Sequence, residues 1–330
     1  MGAGKATGAI FTDDLSVGYI KGSLRQELFQ NLNLELMAGK LTCFMGPNGI
    51  GKSTLIRTLA GLHNPLSGEV KYTGSLEARS VDLPRHLAVV LTDRISAINM
   101  TAFEVVAFGR YPYLGWNVRL SAHDQQMIAD TLREFHIDHL KNKKIHELSD
   151  GQLQMVMIAR AVIQNTPSIL LDEPTAHLDL NNRLEIMNLL RKLAHDANKA
   201  ILVSTHELDL ALQTADIIWL ADRDKKIISG IPEDLVLNGA FDSIFQFKGF
   251  DLKTGKVEHV PHRGICVDLI GSGHEYLWTK NALERNGFIT GSDEATKYQV
   301  SVRKESDRLV WTIDDKISLS SLEDLINFFA

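Results

Sequence analysis

Gly46-Pro47-Asn48-Gly49-Ile50-Gly51-Lys52-Ser53-Thr54 is the stretch around which the chain is ordered. It fits the pattern G-x-x-x-x-G-K-[ST] and stands where a strand turns into a helix. Leu41 to Met45 is a short apolar run suited to a buried parallel strand, and Leu55, Ile56, Leu59 and Ala60 recur behind the loop at helical spacing. Glycines 46, 49 and 51 permit backbone conformations that a side chain would block, so successive N–H groups can face phosphate oxygens. The helix beginning near Lys52 adds the positive end of its dipole. Lys52 is then placed to reach the β- and γ-phosphates as a point charge, and the Ser53 hydroxyl to take one place on an octahedral Mg²⁺. The residues of this loop expected to hold ATP are Asn48, Gly49, Gly51, Lys52, Ser53 and Thr54. The plainer alternative is a glycine-rich turn before a helix.

Composition sets outer bounds. The 330 residues are 44% hydrophobic and 23% charged, enough for a large core and for more than one domain. A formal net charge of −6 gives no overall basic field, so nucleic acid is not an expected partner. Cys43 and Cys266 are far apart and match no metal spacing, which suits reduced thiols in a cytosolic protein. Lys5 is not followed by an apolar signal segment, and no run of about 18 apolar residues occurs. The expectation is a chain that is neither exported nor membrane-spanning.

Taken in order, Phe11 to Tyr19 reads as a strand ending in an aromatic, and Leu28 to Leu36 alternates as a half-exposed antiparallel strand. Tyr19, upstream of the phosphate loop, is either a strand-edge residue or a platform for an adenine ring. Leu87 to Leu91 is a buried strand ending in Thr92-Asp93-Arg94. From Met100 to about Ile163 the pattern is helical, broken at Arg110-Tyr111-Pro112-Tyr113-Leu114-Gly115, with Ser121 and Asp124 as a capping box. This reads as a helical insertion between two halves of a parallel sheet. Leu148-Ser149-Asp150-Gly151-Gln152 feeds the next helix, and by itself Ser149 is a plain N-cap. Ser168 to Leu171 is a hydrophobic strand that delivers two adjacent carboxylates, Asp172 and Glu173, to the strand end where a parallel sheet gathers its functional residues. Asp172 is placed to hold Mg²⁺ and Glu173 to orient and deprotonate a water, unless both merely cap the following helix. Asn181 to Asn198 is an amphipathic helix. Ala200 to Val203 is a buried strand leading to Ser204-Thr205-His206, so His206 reaches the same sheet edge, where it can bind a γ-phosphate.

In unbroken order over roughly residues 10 to 238, these motifs resemble the nucleotide-binding subunits of ABC transporters. Gly46 to Thr54 is similar to the Walker A loop, Leu148 to Gln152 to the signature motif, and Ile169 to Glu173 to Walker B with its catalytic Glu. Ala176-His177-Leu178-Asp179 resembles the D-loop, His206 the switch histidine and Tyr19 the adenine-stacking aromatic. The resemblance implies a P-loop ATPase of α/β class, with a mixed sheet core, an antiparallel β subdomain and a helical subdomain at about 94–165, in a cassette spanning 1–240. It implies ATP and Mg²⁺, catalysis by Glu173, His206 and Lys52, and metal binding by Ser53, Asp172 and Thr92, the last through water. It also implies a head-to-tail homodimer, in which Ser149, Gly151, Gln152 and Asp179 contact ATP held by the other chain. Thr101 to Val106 followed by Gly109-Arg110-Tyr111-Pro112 resembles importers of iron-siderophore, haem or cobalamin complexes. The implied partners are permease subunits in the membrane and, indirectly, an external substrate-binding protein. The implied location is the cytoplasm, peripheral on the inner face of the cell membrane.

Three positions depart from the family pattern. Thr92 stands where Gln is usual, Asp150 where Gly is common and Met155 where a basic residue is usual. The shorter Thr92 side chain leads us to expect a water between it and the metal, or help from Asp93. A carboxylate at 150, near the partner's phosphate, is expected to weaken or slow closure. Beyond about Phe241 the resemblance is expected to end, leaving residues 241–330 as a small α/β appendix of unknown role. Its expected strands are Val257 to Val260, Ile265 to Leu269, Tyr298 to Val302 and Leu309 to Ile313, and its helices Glu275 to Arg285 and Ser320 to Phe329. Gly271-Ser272-Gly273-His274 reads as a turn in preference to an anion cradle, and the appendix as a dimerisation or stability module in preference to a ligand sensor. The rival functions are a soluble ABC ATPase acting on ribosomes or DNA and a nucleotide-dependent regulatory module. A single cassette with no heptad run weighs against the ribosome and DNA readings.

Overall fold

The computed structural model describes residues 8–22, 24–73, 83–92, 99–116, 119–176, 178–245, 250–252, 256–257, 259, 261–291, 297–305 and 308–329. Two units result, Met1–Gln246 and Phe247–Ala330. A division after residue 240 would cut a helix, Ala240–Phe245, whose Phe241 and Ile244 are buried.

The first unit opens with β1 (Gly8–Lys21), β2 (Leu24–Leu32), β3 (Glu35–Met37), β4 (Lys40–Met45) and α1 (Lys52–Leu59), followed by β5 (Ser67–Tyr72), the short α2 (Leu83–His86) and β6 (Leu87–Val90). The long β1 pairs antiparallel with β2, β3 and β5 and forms a subdomain of its own. The alternating run from 28 to 36 is two strands instead of the expected one. Asn31 takes a positive φ of 49°, and the Thr12 hydroxyl donates to Leu32 O at 2.8 Å and accepts from the Leu34 N–H at 2.8 Å. Those bonds satisfy the backbone where the ladder breaks.

The remaining elements are α3 (Ala102–Ala107), α4 (Ala122–Glu134), α5 (Asp150–Ile163), β7 (Ser168–Asp172), α6 (Leu180–Asp196), β8 (Ala200–Ser204), α7 (Leu208–Thr214), β9 (Ile217–Ala221), β10 (Ile227–Gly230), α8 (Pro232–Leu237) and α9 (Ala240–Phe245). The central sheet has the order β10-β9-β4-β8-β7-β6, parallel except for β10. Strands β4, β7 and β8 are buried along nearly all their length, as expected of parallel strands covered on both faces. Burial pushes the Cys43 thiol on β4 up to about 12, so it behaves as an inert core residue. The helical insertion α3–α5 does not separate two halves of the sheet. It lies between β6 and β7, which are hydrogen-bonded neighbours at one side of it. Thr101 and Ser121 each close a capping box, with Glu104 and Asp124.

The second unit holds the β11 (Phe250–Asp251) and β12 (Lys256–Val257) ribbon, then β13 (Cys266–Ile270), α10 (Gly273–Arg285), β14 (Ile289–Thr290), β15 (Tyr298–Glu305), β16 (Arg308–Ile313), β17 (Ile317–Leu319) and α11 (Leu322–Phe328). Its sheet order is β14-β13-β15-β16-β17, with β13 parallel to β14 and β15. Val267, Leu283, Phe288, Val300, Trp311 and Leu325 form a core separate from that of the cassette. Of the strand expected at 257–260, residues 258 and 260 lie outside the described residues. Ser272 precedes α10 without a side-chain capping bond; of the turn expected at Gly271 to His274, all four residues are exposed, but Gly273 and His274 already form the start of α10.

Candidate active site

The site begins with the transition from β4 to α1. Gly49 has φ 76° and open space where a Cβ would stand, so a non-glycine residue would strain the turn and intrude on the hollow of the loop. Gly51, at φ 114°, is the N-cap of α1 and has no side chain with which to cap it, which leaves the first N–H groups of the helix free for an anion. Lys52 is buried, and its ammonium donates to the carbonyls of Gly46 at 2.9 Å and Pro47 at 3.3 Å. Desolvation lowers its pKa, against an opposing pull from the Glu173 and Asp172 carboxylates. The loop thus holds a desolvated cation curled onto its own carbonyls, which an anionic ligand can draw off. Asn48, Gly49 and Ser53 are exposed at the loop. Tyr19, from β1, brings its hydroxyl to 2.7 Å from Thr54 Oγ1, and its ring is 5.1 Å from that of His63. Tyr19 as a residue is 40% exposed.

The carboxylates arrive from β7. Asp172 is fully buried; its Oδ1 accepts from Ser204 Oγ at 2.6 Å, and its Oδ2 has no hydrogen-bond partner among the described residues. A buried carboxylate oxygen without a partner is costly unless something else binds there, so the donor set fits a hard divalent cation. Glu173 takes a positive φ of 49°, unusual for a residue with a side chain, and its N–H donates to both the carbonyl and the hydroxyl of Ser204 at 3.2 and 2.9 Å. His206, just past β8, sets Nδ1 3.9 Å from Glu173 Oε1. Thr92 is exposed in a bend after β6, the neighbour of β7, and Asp93 lies outside the described residues.

A second group gathers elsewhere in the unit. Ser149, Asp150, Gly151, Gln152, Met155 and Asp179 line a cavity of about 530 Å³, with neither Lys52 nor the Asp172-Glu173 pair among its walls. Ser149 does cap α5 through the Gln152 N–H at 3.3 Å, so the plain reading of this residue holds as local structure. Asp179 caps α6 through the Asn182 N–H at 2.9 Å. His177 lies outside the described residues. Two features were missed by sequence reasoning. Ser204 is one; Arg183 is the other, with Nε donating to Leu178 O at 2.7 Å and a terminal nitrogen 2.9 Å from Glu207 Oε1. Only the place of Ser204 two residues before His206, across from Asp172 in parallel register, signals its contact.

A phosphate loop, paired strand-end carboxylates and a histidine on one edge of a parallel sheet define a P-loop ATP-binding cassette. Residues 29–176 match the ABC transporter family model, and residues 263–330 match the iron ABC transporter C-terminal domain. An uncharacterized ABC transporter ATP-binding protein of Methanocaldococcus jannaschii is 38% identical over 77% of this chain and 90% of its own. The probable siderophore transport system ATP-binding protein YusV of Bacillus subtilis is 33% identical over 78% and 95%. Among solved structures, a transporter assigned to the metal-chelate type, in an inward-facing conformation, superposes with a TM-score of 0.62 at 27% identity over 72% of this chain and 89% of that one. A dimeric bacterial ABC transporter cassette gives 0.60 at 28% identity over 68% and 98%. The chain belongs to the ATP-binding proteins of ABC transporters, whose cassettes are ATPases. The expectation that the resemblance ends near residue 241 is corrected by the second match: the small α/β unit belongs to the likeness too.

Proposed function

We propose that two copies of this chain power an importer that takes up an iron complex, haem or cobalamin, with an iron complex favoured. The observation that carries the reading is the separation of the two groups: Lys52, Asp172, Glu173 and His206 share one sheet edge, while Ser149, Gly151, Gln152 and Asp179 line a cavity that contains none of them. One chain supplies two half-sites, and head-to-tail pairing completes both. The siderophore relative and the match over residues 263–330 support an iron complex as cargo.

ATP lies on the loop, its base against Tyr19 and its phosphates on the N–H groups from Asn48 to Thr54. Ser53, Asp172 through Oδ2 and Thr92 through a water are the residues that would hold Mg²⁺, which when bound neutralises charge on the phosphate oxygens. Glu173 orients and deprotonates the attacking water. Lys52 and His206 stabilise charge on the γ-phosphate, and Ser149 and Gly151 of the other chain close the site from the opposite side. Closure draws on permease helices in the membrane; an external substrate-binding protein delivers the cargo. Exposed Tyr111, Tyr113 and Trp116 on the helical insertion suit such a protein contact. No helix among the described residues is long and apolar enough to cross a membrane. A peripheral station on the cytoplasmic face therefore fits a chain that borrows its membrane anchorage from the permease.

The test is to isolate tagged Glu173→Gln protein with Mg-ATP from detergent-solubilised native membranes and identify its companions by mass spectrometry. A polytopic membrane protein in equal amount is expected. Recovery only from the soluble fraction, alone or with ribosomes or nucleic acid, overturns the importer reading in favour of a soluble ATPase.

A further inference from the structure

Ser204 lies at the end of β8, fully buried, with Asp172 beside it in parallel register. Its hydroxyl has one proton to give and lone pairs to accept with, and both capacities are used on the two acidic residues of the site. It donates to Asp172 Oδ1 at 2.6 Å and accepts from the Glu173 N–H at 2.9 Å. Two consequences follow. Fixing Oδ1 chooses which carboxylate oxygen remains open, and Oδ2 is buried with no hydrogen-bond partner among the described residues. Holding the Glu173 N–H helps to keep that residue at φ 49°, a left-handed angle that is uncommon for a residue with a side chain.

We propose that Ser204 is a positioning residue for hydrolysis: it aims the free oxygen of Asp172 at the metal of the nucleotide and holds the Glu173 backbone at the angle that presents its carboxylate. It touches neither ATP nor the attacking water. A valine here would fill the space but could do neither task, and would leave Asp172 Oδ1 a second buried oxygen without a donor. The inference rests on the metal and base roles given to Asp172 and Glu173.

The experiment uses the full chain. Ser204→Ala and Ser204→Thr are compared with the wild type for kcat and KM. In a Glu173→Gln background, where hydrolysis does not intrude, ATP affinity is measured by calorimetry with and without Mg²⁺. A charge-assisted hydrogen bond of this kind leads us to expect Ser204→Ala to lower kcat about tenfold or more with KM little changed. The gain in ATP affinity on adding Mg²⁺ should shrink about fivefold to tenfold, while affinity for metal-free ATP stays the same. Ser204→Thr keeps the hydroxyl and should recover most of both. The proposal is overturned if Ser204→Ala matches wild type in kcat and in the Mg²⁺ gain. It is equally overturned if metal-free affinity and melting temperature fall together with kcat, since that marks a packing role. Should Ser204→Thr fail to fold, Ser204→Ala decides by itself. Near-normal turnover by Glu173→Gln would instead remove the site reading underneath, an outcome distinct from failure of the Ser204 role.

Discussion

At residue scale, the candidate site brings together three uncommon features. Lys52 is desolvated and held by carbonyls, Asp172 Oδ2 is buried with no hydrogen-bond partner among the described residues, and Glu173 sits at a left-handed backbone angle. Lys52→Met removes the desolvated cation, so calorimetry should find ATP affinity at least about tenfold weaker while the melting temperature of the nucleotide-free protein holds or rises. A lower melting temperature would mean that the ammonium supports the loop instead. Asp150 lies in the first turn of α5 beside Ser149 and Gly151, on the cavity that would receive the other chain's phosphate. Helix dipole and carboxylate are well matched, but an incoming phosphate meets like charge. Asp150→Gly should therefore hydrolyse ATP faster or form ATP-driven dimers more tightly; steady-state turnover and sedimentation read both, and no change in either contradicts the account. The chemistry-bearing residues were legible because motif spacing names them. Ser204 was not, since its meaning depends on lying opposite Asp172 in a parallel pair separated by a whole helix.

At the scale of elements, the helical insertion is anchored by a small polar network. Asp124 on α4 accepts from Ser121 and from Arg110, which bonds Asp124 Oδ1 at 2.8 Å, donates to Ile163 O at 3.3 Å and lies 4.4 Å from the Tyr113 ring centroid. The Ser121 hydroxyl and the Arg110 guanidinium hold the Asp124 carboxyl down at about 2. An unfolded Asp titrates near ~3.9. The contribution is thus present above about pH 4 and lost as the pH falls through about 2. Asp124→Asn should cost roughly 1–3 kcal/mol at pH 7 by urea unfolding, and a smaller difference from wild type at pH 3. An equal cost at both pH values would assign the effect to the altered cap. The capping box at Ser121 and Asp124 was legible in sequence; Arg110 joining it was not, because the tie runs between segments. Local propensity also ran Leu28 to Leu36 as one strand, where the tertiary bonds of Thr12 divide it.

At the scale of the whole molecule, two units with separate cores account for the shift in pattern after the cassette. The parallel sheet and its edge of functional residues could be read from the sequence, because buried apolar runs alternating with amphipathic helices admit few topologies. The second unit could be read only as strands and helices. Its relationship to iron transport proteins came from comparison, since its strand and helix pattern is not joined to a phosphate loop or to paired strand-end carboxylates as in the cassette. Removal of residues 247–330 should leave Mg-ATP binding intact and weaken the ATP-driven dimer, as followed by calorimetry and light scattering. If dimer stability and turnover are both unchanged, the unit has neither a pairing nor a regulatory role in the cassette.

The central claim is that ATP completes its site only between two copies of this chain. Sedimentation velocity of Glu173→Gln protein tests it most directly, without nucleotide, with Mg-ATP, and with Mg-ATP after adding Ser149→Arg. The account predicts monomer, stable dimer and monomer in that order, with hydrolysis by Glu173→Gln very slow throughout. A Glu173→Gln chain that stays monomeric at saturating Mg-ATP, or one whose dimer ignores Ser149→Arg, would contradict it.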